Sequence, residues 1–242
     1  MKKFILFLTV VSCLPAFSMR NGDALHDSQF EQVGFLFPAC TATMITKNTA
    51  ITANHCLFPN VAVSTMTVVI GGVSQELTAV KREVLTSALN QEIALIRFKE
   101  EVRGIQFPKL SEQFPASGSV VLGVGFGTSG KYPRNDGKLS GTFKVSLSQS
   151  FIFGAGTQPM IEVVPGNSKS QLPCSGDSGG PLFSATGDLL GIVSFGIGSP
   201  GDTLYSQRET MVDQCQKTRK SYYVPIASNL AWIRGVLKKW DR

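Results

Sequence analysis

The chain has 242 residues, 43% hydrophobic and 17% charged, enough for one sizeable core or two smaller ones, which excludes a disordered polymer. Lys2 and Lys3 contribute two of the formal +6 charges and sit in a leader-like opening, leaving +4. The remaining bases are scattered without interleaved aromatics, so no nucleic-acid partner is expected. Residues 1–18, MKKFILFLTVVSCLPAFS, carry two lysines, a short apolar run, and small residues at Ala16 and Ser18 where a signal peptidase reads. They read as a cleaved export signal, making the product secreted or periplasmic.

Inside that leader, Val10-Val11-Ser12-Cys13 weakly matches a lipoprotein processing pattern, which gives a lipid anchor through Cys13 as the alternative location. No later segment is long and apolar enough to cross a membrane, so no integral membrane segment is expected after signal removal. Of five cysteines, Cys13 belongs to the leader; Cys40, Cys56, Cys174 and Cys215 form an even set in an exported chain and predict two disulfides. Their pairing stays open among three possibilities.

From Met19 the sequence breaks into short strand-like runs rich in Val, Ile, Thr and Phe. The first group is 33–37, 43–53, 61–72, 78–86 and 92–98; the second is 119–127, 141–147, 150–153, 160–164, 181–184, 189–196 and 222–226. Polar, turn-rich KLSEQFPASGS (109–119) joins the groups as a linker, and KYPRNDGKLSG (131–141) reads as an exposed loop. Only the C-terminal stretch, about 228–240, has helical spacing, with Ser228 or Asn229 as cap and Leu230, Ile233, Leu237 and Trp240 on one face. The expected class is all-β with a C-terminal helix. The expected domains are residues 19–242 as one unit, with an N-terminal barrel or sandwich over about 19–112 and a second over about 118–227.

Three short stretches carry chemistry. His55 lies in ITANHC at the end of a strand-like run, whereas His26 lies in a polar surface segment. In NQEIALIRF (90–98), the carboxylate of Glu92 stands at the mouth of a buried-looking run. In CSGDSGGPLF (174–183), Ser178 is set among Gly176, Asp177, Gly179 and Gly180, whose backbone freedom permits a tight turn that exposes a hydroxyl and converges N–H groups.

In that order the three stretches resemble the trypsin/chymotrypsin family of serine endopeptidases. NGDA near the start, GFG (125–127), SFG (194–196) and Trp232-Ile233 extend the resemblance from Met19 to the last helix. It implies two six-stranded antiparallel β-barrels with a cleft between them. The expected partner is a protein or peptide substrate, the expected state is a monomer, and no cofactor is expected; nor is a metal, because histidines are few and the cysteines are better used as disulfides. Ser178 would be the nucleophile, His55 the general base, Glu92 the orienter of the histidine, and the N–H groups of Gly176 and Ser178 the oxyanion hole. The implied disulfides are Cys40–Cys56 and Cys174–Cys215.

Several residues depart from the family pattern. Glu92 stands where aspartate is usual, one methylene longer, and Asn54 stands where a small residue usually precedes the histidine. The family activates when a freed N-terminal ammonium pairs with the aspartate before the serine, here Asp177. Cleavage after Ser18 would make Met19 that terminus, although Arg20 replaces the usual β-branched apolar residue. The implied pocket floor is Leu172, with Ser194, Phe195 and Gly196 along the substrate. A leucine floor leaves an Arg or Lys side chain without a partner, so a modest apolar side chain is expected and the long segment 197–214 should rim the pocket. The competing expectation is a binding protein on the same scaffold, its turnover disabled.

Overall fold

The computed structural model describes residues 19–58, 64–85, 92–127, 137–150, 159–197, 215 and 217–242. The leader with Cys13, most of the 150–153 run, 131–136 and 198–214 of the expected rim fall outside them.

Strands β1 (Asp23–Ala24), β2 (Val33–Leu36), β3 (Cys40–Thr46), β4 (Thr49–Thr52), β5 (Thr65–Ile70), β6 (Val73–Val84) and β7 (Ala94–Phe98) are followed by β8 (Val120–Gly125), β9 (Leu139–Ser150), β10 (Met160–Pro165), β11 (Pro181–Phe183), β12 (Leu189–Ile197), β13 (Lys220–Pro225) and the helix α1 (Ile226–Trp240). Strands β2-β3-β4-β7-β6-β5 close one antiparallel barrel. The run β9-β10-β13-β12-β11-β8 closes a second because β8 also pairs with β9. Closure removes sheet edges, and each barrel fills with its own inward side chains. Leu36, Met44, Met66, Val68, Leu77, Ile96 and Phe98 fill the first, and Phe143, Ile161, Val163, Leu182 and Tyr223 the second. A third cluster joins Val33, Ile51 and Leu95 of the first barrel to Phe183 and Leu189 of the second and to Ile226, Leu230 and Ile233 of α1. The barrels therefore meet on an apolar seam that the helix helps to cover.

Four expectations change. The run 43–53 is a hairpin, turned at Lys47-Asn48, whose carbonyls accept the Val102 and Phe98 N–H groups. No glycine or proline announces that turn, because tertiary contacts satisfy its backbone. The segment 19–24, expected with the first barrel, lies on the second: β1 pairs with β9, and Arg20 bridges Leu172. The helix begins at Ile226, directly after Pro225, so Ser228 and Asn229 fall inside its first turn instead of capping it; Asn229 is buried and donates Nδ2–H to the Pro225 carbonyl at 2.8 Å. Its buried face adds Ile226 and Val236 to the expected residues, and Leu237 is only partly covered.

The described end of the 131–141 loop is not exposed: Lys138, Leu139 and Ser140 are buried where β9 begins. The Lys138 ammonium donates to the carbonyls of Gln29 and Phe30. Burial pulls its pKa down to about 8 against the opposing pull of Asp27 and Glu31.

Candidate active site

Strand pairing answers why a carboxylate sits at the mouth of a buried strand. β4 and β7 run antiparallel with Thr52 opposite Ala94. His55 follows the end of β4 in a short 3₁₀ turn, Asn54–Cys56, and Glu92 precedes the start of β7, so both emerge at one edge of the first barrel. Glu92 Oε2 lies 2.7 Å from His55 Nδ1 and also accepts the His55 backbone N–H at 3.3 Å. The extra methylene is thus absorbed with the carboxylate in hydrogen-bonding range. Burial pushes the Glu92 carboxyl up, but the hydrogen bonds and charge of His55 outweigh it and hold Glu92 below its ordinary value. With Nδ1 anchored this way, Nε2 is the nitrogen without a hydrogen bond among the described residues. Asn54 makes no side-chain hydrogen bond to Glu92 among the described residues, its carbonyl accepting from Leu57.

The Ser178 turn is built by alternating use of its amides. Asp177 N–H donates to Cys174 O, Gly179 N–H to Val193 O and Gly180 N–H to Asp177 O. The N–H groups of Gly176 and Ser178 make no hydrogen bond to a described residue. Gly176 and Gly179 have φ of +96° and +77°, a region where side chains are strained. A Cβ on Gly179 would stand 2.1 Å from Thr52 Oγ1, 2.5 Å from Thr41 O and 2.8 Å from Ala53 N. Gly179→Ala is therefore expected to destabilise the protein by about 3–5 kcal/mol, the sum of a strained left-handed residue and an overpacked core contact. A lowered urea midpoint at unchanged slope is the measurement that checks this.

That glycine contact brings the turn of the second barrel against β4 of the first, just before His55. Thr41, a fully buried threonine in β3, ties the two together. Its N–H donates to Ser178 O (2.9 Å), its Oγ1 donates to Gly176 O (2.9 Å) and accepts from Phe126 N–H (3.0 Å), and its carbonyl accepts Thr52 Oγ1–H (2.9 Å). The Cys40–Cys56 disulfide lies at the same junction, with Cys56 Sγ 3.5 Å from Ser178 O. A histidine nitrogen and both sulfurs cluster there, but the sulfurs are bonded to each other and offer no thiolate for a metal. Nothing in the sequence singled out Thr41, one of three threonines in β3.

Asp177 is wholly buried, and its carboxylate accepts the N–H groups of Gly127 (2.7 Å) and Cys174 (2.8 Å). Any side chain at Gly125 or Gly127 would collide with it, which explains the GFG spacing. Met19 is also buried, in the core of the second barrel.

The second disulfide joins Cys174 to Cys215. Leu172 is 0% exposed and packs into the core of the second barrel, so it backs the region as apolar mass. Ser194 is buried, and the place a Cβ would take on Gly196 is filled by Thr218, with Cγ2 at 2.8 Å. Phe195 stacks on Tyr222 at 5.1 Å, and Tyr222 donates its hydroxyl to Glu162 at 2.8 Å. Glu162, only 3% exposed, also accepts from Ser146 (2.6 Å) and Lys220 (3.0 Å). Burial pushes its carboxyl up, and these three donors outweigh that. This network escaped the sequence reading because strand alternation marks position 162 only as inward or outward, not as paired.

The sequence profile of the family described as Trypsin matches residues 20–233. Among curated proteins, a cercarial protease of Schistosoma mansoni is 27% identical over 75% of this chain and 81% of its own. Trypsin alpha of Drosophila melanogaster is 30% identical over 66% and 68%. Among solved structures, neuropsin, described as a serine protease of mouse brain, superposes with a TM-score of 0.66 over 89% of this chain and 98% of its own, at 18% identity. That last likeness is one of fold.

Proposed function

The chain belongs to the trypsin family of serine endopeptidases, and on that premise we propose that it is an exported, monomeric protease working through Ser178, His55 and Glu92. The observation that carries this reading is the 2.7 Å bond by which Glu92 orients His55 at the seam where the Ser178 turn docks. His55 takes the Ser178 hydroxyl proton as Oγ attacks the peptide carbonyl carbon, and the carbonyl π electrons move onto oxygen. The N–H groups of Gly176 and Ser178, unbonded among the described residues, receive that oxyanion. Collapse expels the amine, which leaves with the proton held by His55, and an acyl ester remains on Ser178. Water, deprotonated by the same histidine, hydrolyses the ester and restores the serine.

Leu172, Ser194, Phe195 and Gly196 form the substrate side of this reading, and the apolar backing at Leu172 favours an uncharged side chain over Arg or Lys. Removal of residues 1–18 would free the Met19 ammonium for Asp177 and so activate the enzyme without a separate propeptide. Burial of both residues beside one barrel core supports that pairing. Intact mass of the exported protein, with and without a fluorophosphonate probe, tests the proposal. An adduct on Ser178 of a chain beginning at Met19 is expected. A correctly processed chain without an adduct would instead indicate a binding protein on the protease scaffold.

A further inference from the structure

Arg20 occupies a position where an apolar residue would be the simpler choice. Its side chain is only 4% exposed, and its guanidinium is enclosed by main-chain carbonyls. Nε donates to Ser170 O at 2.9 Å, and Nη1 donates to Thr218 O at 2.6 Å and Cys215 O at 3.3 Å. The Arg20 backbone N–H donates to Leu172 O at 2.9 Å. One residue thus holds two chain segments: 170–172, which leads into the Ser178 turn, and 215–218, which leads into β13. The Cys174–Cys215 disulfide joins these same segments covalently.

Burying a cation is costly unless donors and acceptors match. A guanidinium offers five N–H groups in a rigid plane and can serve carbonyls on two segments together. An apolar side chain offers none, and a lysine ammonium is a strongly hydrated point charge that does not reproduce the fork. Burial, and then the neighbouring Arg219, pull Arg20 below its ordinary value, and the carbonyls oppose that cost. The Thr218 carbonyl is held by Arg20, and the Thr218 side chain occupies the space a Cβ on Gly196 would need, so the fastening reaches the residues assigned to substrate.

We propose that Arg20 is a positioning residue for substrate binding: it fastens Ser170 and Leu172 to Cys215 and Thr218, and thereby sets the spacing of the chain beside Gly196, where the protease reading places substrate. This rests on the protease reading above for what the pocket binds, but not for the fastening itself. It makes the second residue after the expected cleavage point part of the binding site's scaffold.

The test compares Arg20→Ala and Arg20→Lys with the unaltered chain, using a chromogenic peptide substrate, the fluorophosphonate probe and dithiothreitol. Loss of charged hydrogen bonds predicts that Arg20→Ala raises KM about 10- to 100-fold while kcat stays within about threefold. Millimolar methylguanidinium, filling the vacated space, is expected to restore KM; tetramethylammonium is not, and Arg20→Lys is expected to behave like Arg20→Ala. Independently of activity, dithiothreitol should reduce Cys174–Cys215 about tenfold faster in Arg20→Ala, with Cys40–Cys56 as internal control. A lower melting temperature with unchanged KM and unchanged reduction rate overturns the proposal, leaving Arg20 a stabilising residue only. If the unaltered chain neither reacts with the probe nor cuts peptide, the protease reading fails, and the disulfide rates alone decide the fastening. If Arg20→Ala does not fold, Arg20→Met is read by the same two measurements.

Discussion

Replacing Ser178 with alanine is expected to lower kcat about a million-fold, because nucleophile and base act as one unit and the remaining donors stabilise only what water can attack. KM should change little, since the removed oxygen contributes to the reacting centre and not to the walls that hold substrate. Stability should also change little. The turn is held by backbone bonds from Asp177, Gly179 and Gly180 and by Thr41, none of which uses the serine hydroxyl. Steady-state kinetics on a chromogenic peptide, beside a urea melt, checks both halves. A residual rate within tenfold of the unaltered protein would remove Ser178 from the mechanism.

Glu92→Gln should cost about 10,000-fold in kcat. The amide keeps the length of the side chain, so the 2.7 Å contact with His55 Nδ1 can survive. It loses the charge that stabilises an imidazolium and no longer dictates which ring nitrogen carries the proton. The ordinary shape of the glutamine variant and the size of the loss together separate orientation from packing. A stability consequence follows with a definite sign. Glu92 is held below its ordinary value in the folded protein, so its stabilising contribution is fully present above the unfolded carboxyl value and disappears as pH falls through the folded one. The difference in melting temperature between the unaltered chain and Glu92→Gln should therefore be flat from neutrality down to about pH 5 and shrink below it. A gap that widens on acidification would contradict the shift.

The candidate site was legible in one dimension because its parts are local. His55 and its cysteine, Glu92 before an apolar run, and Ser178 within a glycine frame each sit in a stretch whose neighbours must have particular types to form the turn or strand end. The disulfide pairs came from the resemblance and are found as it implied. What joins those stretches is not local. Thr41 reaches Ser178 and Gly176 across 135 residues and more, and Arg20 reaches Thr218 across 198. No periodicity records a hydrogen bond between segments that far apart.

The misjudged boundaries have the same origin. The turn at Lys47-Asn48 carries no glycine, since the amides of Val102 and Phe98 complete its carbonyls, and the helix start at Ile226 follows Pro225 with no side-chain cap to announce it. Residues 19–24 follow the leader and precede the first barrel, so order along the chain suggested the first barrel. Pairing of β1 with β9 and the carbonyl cage around Arg20 put them on the second.

By itself the sequence determined the all-β class, the grouping of strands into two units and the terminal helix, and it marked the candidate site residues through their motifs. Strand alternation, turn-forming residues and motif spacing are written over a few positions at a time. Only the tertiary structure decided that a glutamate reaches a histidine usually served by aspartate and that an arginine can be buried where an apolar residue is usual. Those outcomes depend on distances between segments and on how many donors meet each carbonyl or carboxylate, and such quantities exist only after the barrels have closed and docked.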